Sequence, residues 1–162
     1  MNFSVLLAHN YDAHQDDILG WHASEKYDGI RFLWTNGKML TRVGKEYKYV
    51  PQAVLDSLPK DIDLDGEIWA GRGNFNLVSR MSTLKLGGKY SKEELDEIWK
   101  SSTIIIFDHP TNEPIPYEER YEILRSNVKE IDNIEIVKNF TVDNMDILHE
   151  KYNEIIKNGG EG

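Results

Sequence analysis

The sequence predicts an α+β domain of antiparallel sheets with flanking helices, and three observations carry that expectation. Residues 31–35 and 38–43 flank Asn36-Gly37, the strongest short-range signal for a β-hairpin. Residues 62–69, Ile-Asp-Leu-Asp-Gly-Glu-Ile-Trp, alternate apolar with acidic side chains around a central glycine, as a strand with two unlike faces does. Ser91 lies three residues before Glu94 and just ahead of Leu95, Ile98 and Trp99, the signature of a capped helix with one apolar stripe.

Taken in order, residues 1–20 read as a short apolar piece followed by a loop through Asp16 and Asp17. His9, His14 and His22 lack a spacing that puts two of them on one helical face, so no metal site is read there. In the hairpin, alternation puts Arg31, Leu33 and Thr35 on one face and Phe32 and Trp34 on the other, and folding at Asn36-Gly37 is expected to bring Arg42 back near Arg31. Residues 51–58 suit a short helix. In the strand at 62–69, Asp63, Asp65 and Glu67 share one side, where they need a cation, an arginine or water, unless the strand is an exposed edge blunted by charge. Gly66 at its centre suggests a close backbone approach. Asn74 is expected to cap a helix to about residue 82, with Phe75, Leu77, Val78 and Met81 as its stripe. After Gly87-Gly88 come the helix opened by Ser91, a buried strand at 103–107 ending in Asp108, and a proline-rich loop. A helix over 117–129, a strand over 134–140 and a helix over 142–157, stopped by Gly159-Gly160, complete the chain.

With 162 residues, 40% hydrophobic and 29% charged, the chain suits one soluble domain spanning 1–162. It has no cysteine, which excludes disulfides and thiolate metal sites and fits a reducing compartment. No apolar run approaches the roughly 20 residues of a membrane span, and residues 1–4 lack the basic start of a signal peptide. The net charge is -9, but it is unevenly placed. Residues 1–92 hold 12 Lys/Arg against 11 Asp/Glu, whereas residues 93–162 hold 7 against 17. Residues 71–92 carry five cations and no acid, an asymmetry that permits a phosphate-binding face on an acidic protein.

The stretch with the most chemistry in it is Ser24-Glu25-Lys26-Tyr27-Asp28-Gly29-Ile30-Arg31. Apolar neighbours on both sides place Lys26 where a buried strand opens into a turn at Gly29. Desolvation and a nearby cation such as Arg31 would lower its pKa from about 10.4 and free the amine as a nucleophile. The alternative is a solvated Asp-Gly turn in which Arg31 pairs with Asp28.

Lys26-x-Asp28-Gly29-x-Arg31 resembles the first motif of the adenylation domain of ATP-dependent DNA ligases, within the covalent nucleotidyltransferases, whose fold is ATP-grasp-like. Leu64-Asp65-Gly66-Glu67 resembles the third motif, Ile104 to Asp108 with Phe107 the next, and Gly160-Glu161-Gly162 the opening of the fourth. The run from Trp69 through Arg72, Gly73 and Phe75 is similar to the small bacterial and viral ligases. The resemblance implies that Lys26 attacks the α-phosphate of ATP and carries AMP, which passes to the 5′-phosphate of nicked duplex DNA before the 3′-hydroxyl displaces it. It implies Arg31 and Arg42 on the phosphates, Glu67 on the ribose hydroxyls, Phe107 stacked on adenine and Ser24 and Glu25 at the adenine edge. Asp28 acts at the nick, and Glu161 with Asp65 holds Mg2+. From the residues alone, Phe107 equally suits a core strand and Arg42 a cross-strand pair. The fifth motif and the oligonucleotide-binding-fold domain are missing, so the expectation is an adenylation domain incomplete at its C-terminal end, unable as written to seal a nick and weak or inactive in self-adenylation. A monomer in the cytoplasm of a bacterium or a virus-infected cell, or in the nucleus of a eukaryote, is expected. The alternatives are an RNA ligase, an mRNA capping guanylyltransferase, a non-catalytic remnant, or a plain binding module that leaves the motif order to chance.

Overall fold

The structure, a computed structural model, describes residues 5–7, 9–12 and 17–162. Residues 1–4, Ala8, His14 and Asp16, on which parts of the N-terminal reading rest, lie outside them. A five-stranded sheet dominates, ordered β3-β2-β4-β5-β6, from β2 (Ile30–Thr35), β3 (Lys38–Thr41), β4 (Leu64–Trp69), β5 (Thr103–Asp108) and β6 (Ile134–Ile136). A two-stranded sheet pairs β1 (His22–Ser24) with β7 (Asn139–Thr141). All pairings are antiparallel except β5 with β6, which is parallel and departs from the all-antiparallel expectation. The reason is the connection: β5 returns to β6 through α4 (Tyr117–Asn127), and a helical crossover brings the chain back in the same direction.

The β2–β3 hairpin turns at Asn36 and Gly37 with φ of 51° and 72°, the mirror-image turn that matches strand twist. One face of the sheet makes the core. Phe32 and Trp34 of β2, Leu64 and Ile68 of β4, Ile104 and Ile106 of β5 and Ile134 of β6 are buried against α1 (Gln52–Ser57), α3 (Lys92–Lys100) and α4, through Val54, Leu95, Trp99 and Leu124. Helix α3 begins with both bonds of a capping box: Glu94 N–H donates to Ser91 Oγ at 3.2 Å, and Ser91 N–H donates to the Glu94 carboxylate at 2.7 Å. The opposite face of β2 and β4 carries Arg31, Leu33, Asp65 and Glu67, because Arg31 pairs with Glu67 and Leu33 with Asp65 across the ladder.

Gly66 is the point of closest approach. A Cβ there would lie 2.3 Å from the Ile105 carbonyl oxygen and 2.5 Å from Phe32 Cε1, so only glycine lets β4 pass between its neighbours. Beside it the β4–β5 register slips by one residue, from Asp65↔Asp108 to Gly66↔Ile106, leaving Phe107 as an extra residue in β5.

Three expected elements differ. The helix expected over 74–82 is a single turn, α2 (Phe75–Val78), followed by a 3-10 turn at Met81–Thr83. Val78 and Met81 are buried as expected, but Phe75 and Leu77 are exposed. The Asn74 side chain donates to the Ala70 carbonyl at 3.1 Å instead of capping the helix. The strand expected over 134–140 is two strands in different sheets: β6 extends the main sheet, Val137 N–H donates to the Ile106 carbonyl at 2.8 Å, and the chain then crosses to β7. The last helix, α5 (Met145–Lys157), begins three residues later than expected, because Asn144 Oδ1 accepts from Ile147 N–H at 3.0 Å and fixes its start.

Candidate active site

Strands β1, β2, β4 and β5 converge on an open cleft of about 1070 Å³. Its polar wall includes Ser24, Glu25, Lys26, Arg31 and Glu67 beside His9, Asn10 and His22, and Phe107, Val137 and Ile18 are among its apolar lining. A cleft of this size and composition suits a nucleotide-sized ligand.

Lys26 lies in the segment joining β1 to β2, with 61% of its side chain exposed. The expected buried strand opening at Gly29 is therefore not what holds it. Among the described residues β1 has only β7 as a partner and stays half-exposed, so no core encloses the lysine. Its amine instead donates to Glu161 Oε1, and its backbone N–H donates to the Gly162 carbonyl at 2.6 Å, so the C-terminal residues fold back onto the lysine segment. Gly29 lets that segment run against β4. A Cβ there would lie 2.3 Å from the Ile68 carbonyl oxygen and 2.8 Å from Glu67 Cγ.

Arg31 pairs with Asp65, not with Asp28: Nε donates to Oδ1 at 2.8 Å and Nη2 to Oδ2 at 2.5 Å. The solvated-turn reading of this stretch holds for the exposure of Lys26 and Asp28 but not for the pairing of Arg31 with Asp28. Nη2 also reaches the Leu6 carbonyl at 2.8 Å, and the guanidinium lies 5.4 Å from the centre of the Phe107 ring. Burial pushes the Asp65 carboxyl up and Arg31 pulls it back, while the hydrogen bond to Asp65 raises Arg31 further. Asp65 faces Asp108 across the ladder, and Asp108 has its own arginine: Arg120 Nε donates to Oδ1 at 2.7 Å. Two buried carboxylates side by side are thus each neutralised by a separate cation.

Glu67 is half-buried, and burial pushes it from 4.5 to about 7, against the opposing pull of Arg31, the Gly29 N–H and Lys26. Phe107 is also half-buried and lines the cleft, so it is not core packing. Asp65 and Glu161 do not form a joint metal site here. Asp65 is fully buried with both oxygens on Arg31, Glu161 faces Lys26, and among the described residues no group of three His, Cys, Asp or Glu is placed to hold an ion.

Arg42 is not brought to Arg31. Pairing of β2 with β3 stops at Phe32↔Thr41, one step short, because Gly44 N–H donates to the Thr41 carbonyl at 2.8 Å and Lys45 N–H to Thr41 Oγ1 at 3.1 Å. That turn leaves Arg42 exposed and outside the cleft lining. Asp28 is exposed beside the lysine segment and outside the lining as well. Arg72 was not among the expected site residues. It stands between Gly71 and Gly73, both at positive φ, directly after the acidic strand, and that lone arginine in a glycine loop was its signal.

A family model for the ATP dependent DNA ligase domain matches residues 7–162. The chain belongs to that family. Among curated proteins, this ligase domain is 27% identical to a "DNA ligase" of Haemophilus influenzae, over 99% of this chain and 56% of the relative. It is 29% identical to "DNA ligase 1" of Methanosarcina barkeri, over 86% of this chain and 29% of the relative. It superposes on a solved Lig E DNA ligase, described under DNA binding with a minimal scaffold, with a TM-score of 0.82 and 27% identity, over 100% of this chain and 60% of that one. A Chlorella virus DNA ligase-adenylate shares the fold at a TM-score of 0.62 and 21% identity, over 86% and 50%. The ligase domain thus has the nucleotidyltransferase fold, and it spans about half of the Haemophilus relative and less of the archaeal one.

Proposed function

We propose that the chain carries the nucleotide-binding and nucleophilic part of an ATP-dependent DNA ligase. Family membership favours this over an RNA ligase or a capping enzyme. The observation that carries the reading is the meeting of Lys26, Glu67, Arg31 and Phe107, from separate segments of the chain, in one nucleotide-sized cleft.

In this reading adenine stacks on Phe107, Ser24 stands at the base edge, and the ribose hydroxyls donate to the Glu67 carboxylate. Lys26 Nζ, having lost its proton, attacks the α-phosphorus; an N–P bond forms, the bond to the pyrophosphate oxygen breaks, and AMP stays on the lysine. AMP then passes to the 5′-phosphate at a nick, with Asp28 at the exposed mouth, and the 3′-hydroxyl displaces it. Arg31, fixed by Asp65 above the Phe107 ring, presents a positioned cation to the phosphates, which is the main contribution a protein makes to such transfers. Magnesium, for which a carboxylate is a proper ligand, would be held by Glu161 and would supply charge neutralisation at the phosphates; Asp65 does not fit, since its oxygens are taken. Nicked duplex DNA is the acceptor, and the exposed cations Arg80, Lys85 and Lys89, in a stretch without acids, are available to its phosphates. The protein works as a monomer in a reducing compartment, the cytoplasm. Among the described residues no helix is long and apolar enough to cross a membrane.

The test is incubation of the chain and of Lys26→Ala with magnesium and ATP or GTP labelled at the α-phosphate, followed by denaturing electrophoresis. Weak label from ATP that is lost in the variant is the expected result. Label that survives Lys26→Ala, or comes from GTP alone, overturns the reading.

A further inference from the structure

Arg72 makes a fork on Glu25, the residue just before the nucleophile. Its Nη2 donates to Glu25 Oε2 at 2.8 Å and Oε1 at 2.9 Å, and Nε donates to Oε1 at 3.1 Å. Its remaining nitrogen, Nη1, reaches the Asn158 carbonyl at 3.4 Å, at the C-terminal end of α5. Glu25 is largely shielded, with 16% of its side chain exposed, and Arg72 is about one-third exposed. The chain leaving α5 turns at Gly159 with φ of 80°, and a Cβ on Gly160 would lie 3.0 Å from Glu25 Oε1 and 2.4 Å from Ile155 Cγ2. From there the chain reaches Lys26 twice, through Gly162 on its N–H and Glu161 on its amine.

We propose that Arg72 is a positioning residue for Lys26. Resting on the reading above, it fixes the lysine segment through Glu25 and the Glu161-bearing segment through Asn158, so that amine and carboxylate meet at the cleft mouth. One guanidinium binds two chain segments distant in sequence from each other, which a lysine cannot reproduce, because an ammonium lacks the planar fork. Glu25 thereby serves the lysine's placement, and its carboxylate is not the group that reads the adenine edge.

The experiment compares wild type, Arg72→Ala, Arg72→Lys and the reversed pair Glu25→Arg with Arg72→Glu. Amide hydrogen exchange is followed at Lys26 and residues 160–162, together with the rate of Lys26 labelling by α-labelled ATP across ATP concentrations. In Arg72→Ala, exchange at these amides is expected to rise about fivefold while that of β2 and β4 holds, the effect of losing a partly buried bidentate pair. Labelling at saturating ATP is expected to fall about tenfold or more with KM little changed, because a misplaced nucleophile loses rate and not binding. Arg72→Lys should fall between, and the reversed pair should recover part of both effects. Unchanged exchange in Arg72→Ala overturns the clamp, and raised exchange with an unchanged saturating rate overturns its role in positioning. A loss confined to KM makes Arg72 a substrate contact instead. If wild type takes no label, the labelling arm fails for the functional reading and the exchange at Lys26 and residues 160–162 decides the clamp by itself; if wild type labels and the Arg72 variants label equally well, the inference fails alone.

Discussion

Glu67 offers a prediction whose sign and size follow from its surroundings. Its carboxyl lies half-buried between Gly29 and the cleft, and burial raises it from 4.5 to about 7 in the folded chain. Between those two values the folded chain holds a proton that the unfolded chain has already released. Raising the pH through this window therefore removes stability, and the loss is complete above about pH 7. The full shift corresponds to a ceiling of about 3 kcal/mol. Water reaches the carboxyl through the open cleft, so about 1–2 kcal/mol is the expected loss. Glu67→Gln keeps the shape and has no proton to lose. Urea unfolding of wild type and Glu67→Gln at intervals from about pH 5 to 8 should show wild type losing stability relative to the variant as pH rises. Parallel curves across that range would refute the reasoning. The same ionisation creates the acceptor for the ribose hydroxyls, so ATP affinity should improve as wild-type stability declines, and Glu67→Gln should lose that improvement. A binding group kept at a cost in stability is expected where a site needs a charge that the fold disfavours.

Two further substitutions separate fold from site. Gly66→Ala forces a methyl group to within 2.3 Å of the Ile105 carbonyl and against the Phe32 ring; it should destabilise the chain by about 1–3 kcal/mol or more in thermal or urea unfolding, and a neutral result would mean that β4 can shift. Phe107→Ala removes a half-exposed ring from the cleft wall, so it should weaken ATP binding by calorimetry by about 1–3 kcal/mol of stacking, with a smaller effect on stability. If instead stability collapses and binding holds, Phe107 belongs to the core.

The sequence alone determined the features that depend on a few neighbouring residues. Asn36-Gly37 dictates its turn because both residues accept positive φ at little cost, and Ser91 with Glu94 satisfies the first N–H groups of α3 from within four residues. Gly66 was legible as a close approach because an interior glycine in an otherwise regular strand has few other uses. Lys26, Glu67 and Phe107 were nameable by motif, and the structure gathers them in one cleft.

Only the tertiary structure decided which charge meets which. Arg31 had Asp28 three residues away, yet it pairs with Asp65 on the next strand, because the ladder sets Leu33 opposite Asp65 and carries Arg31 within reach of a buried carboxylate that has no water to turn to. Arg42 has no partner in the ladder and lies outside the cleft lining, since a turn closed by Thr41 and Lys45 ended the pairing one residue early. Phe75 and Leu77 stayed outside a stripe whose later members, Val78 and Met81, are buried, because the helix stops after one turn and its periodicity no longer applies. Arg72 and Glu161 belong to segments far from Lys26 in sequence, and no local preference brings them to it. Backbone preferences act over a few residues, whereas an ion pair is chosen by whatever the packed chain places within about 4 Å, and that distance exists only once the sheet is assembled.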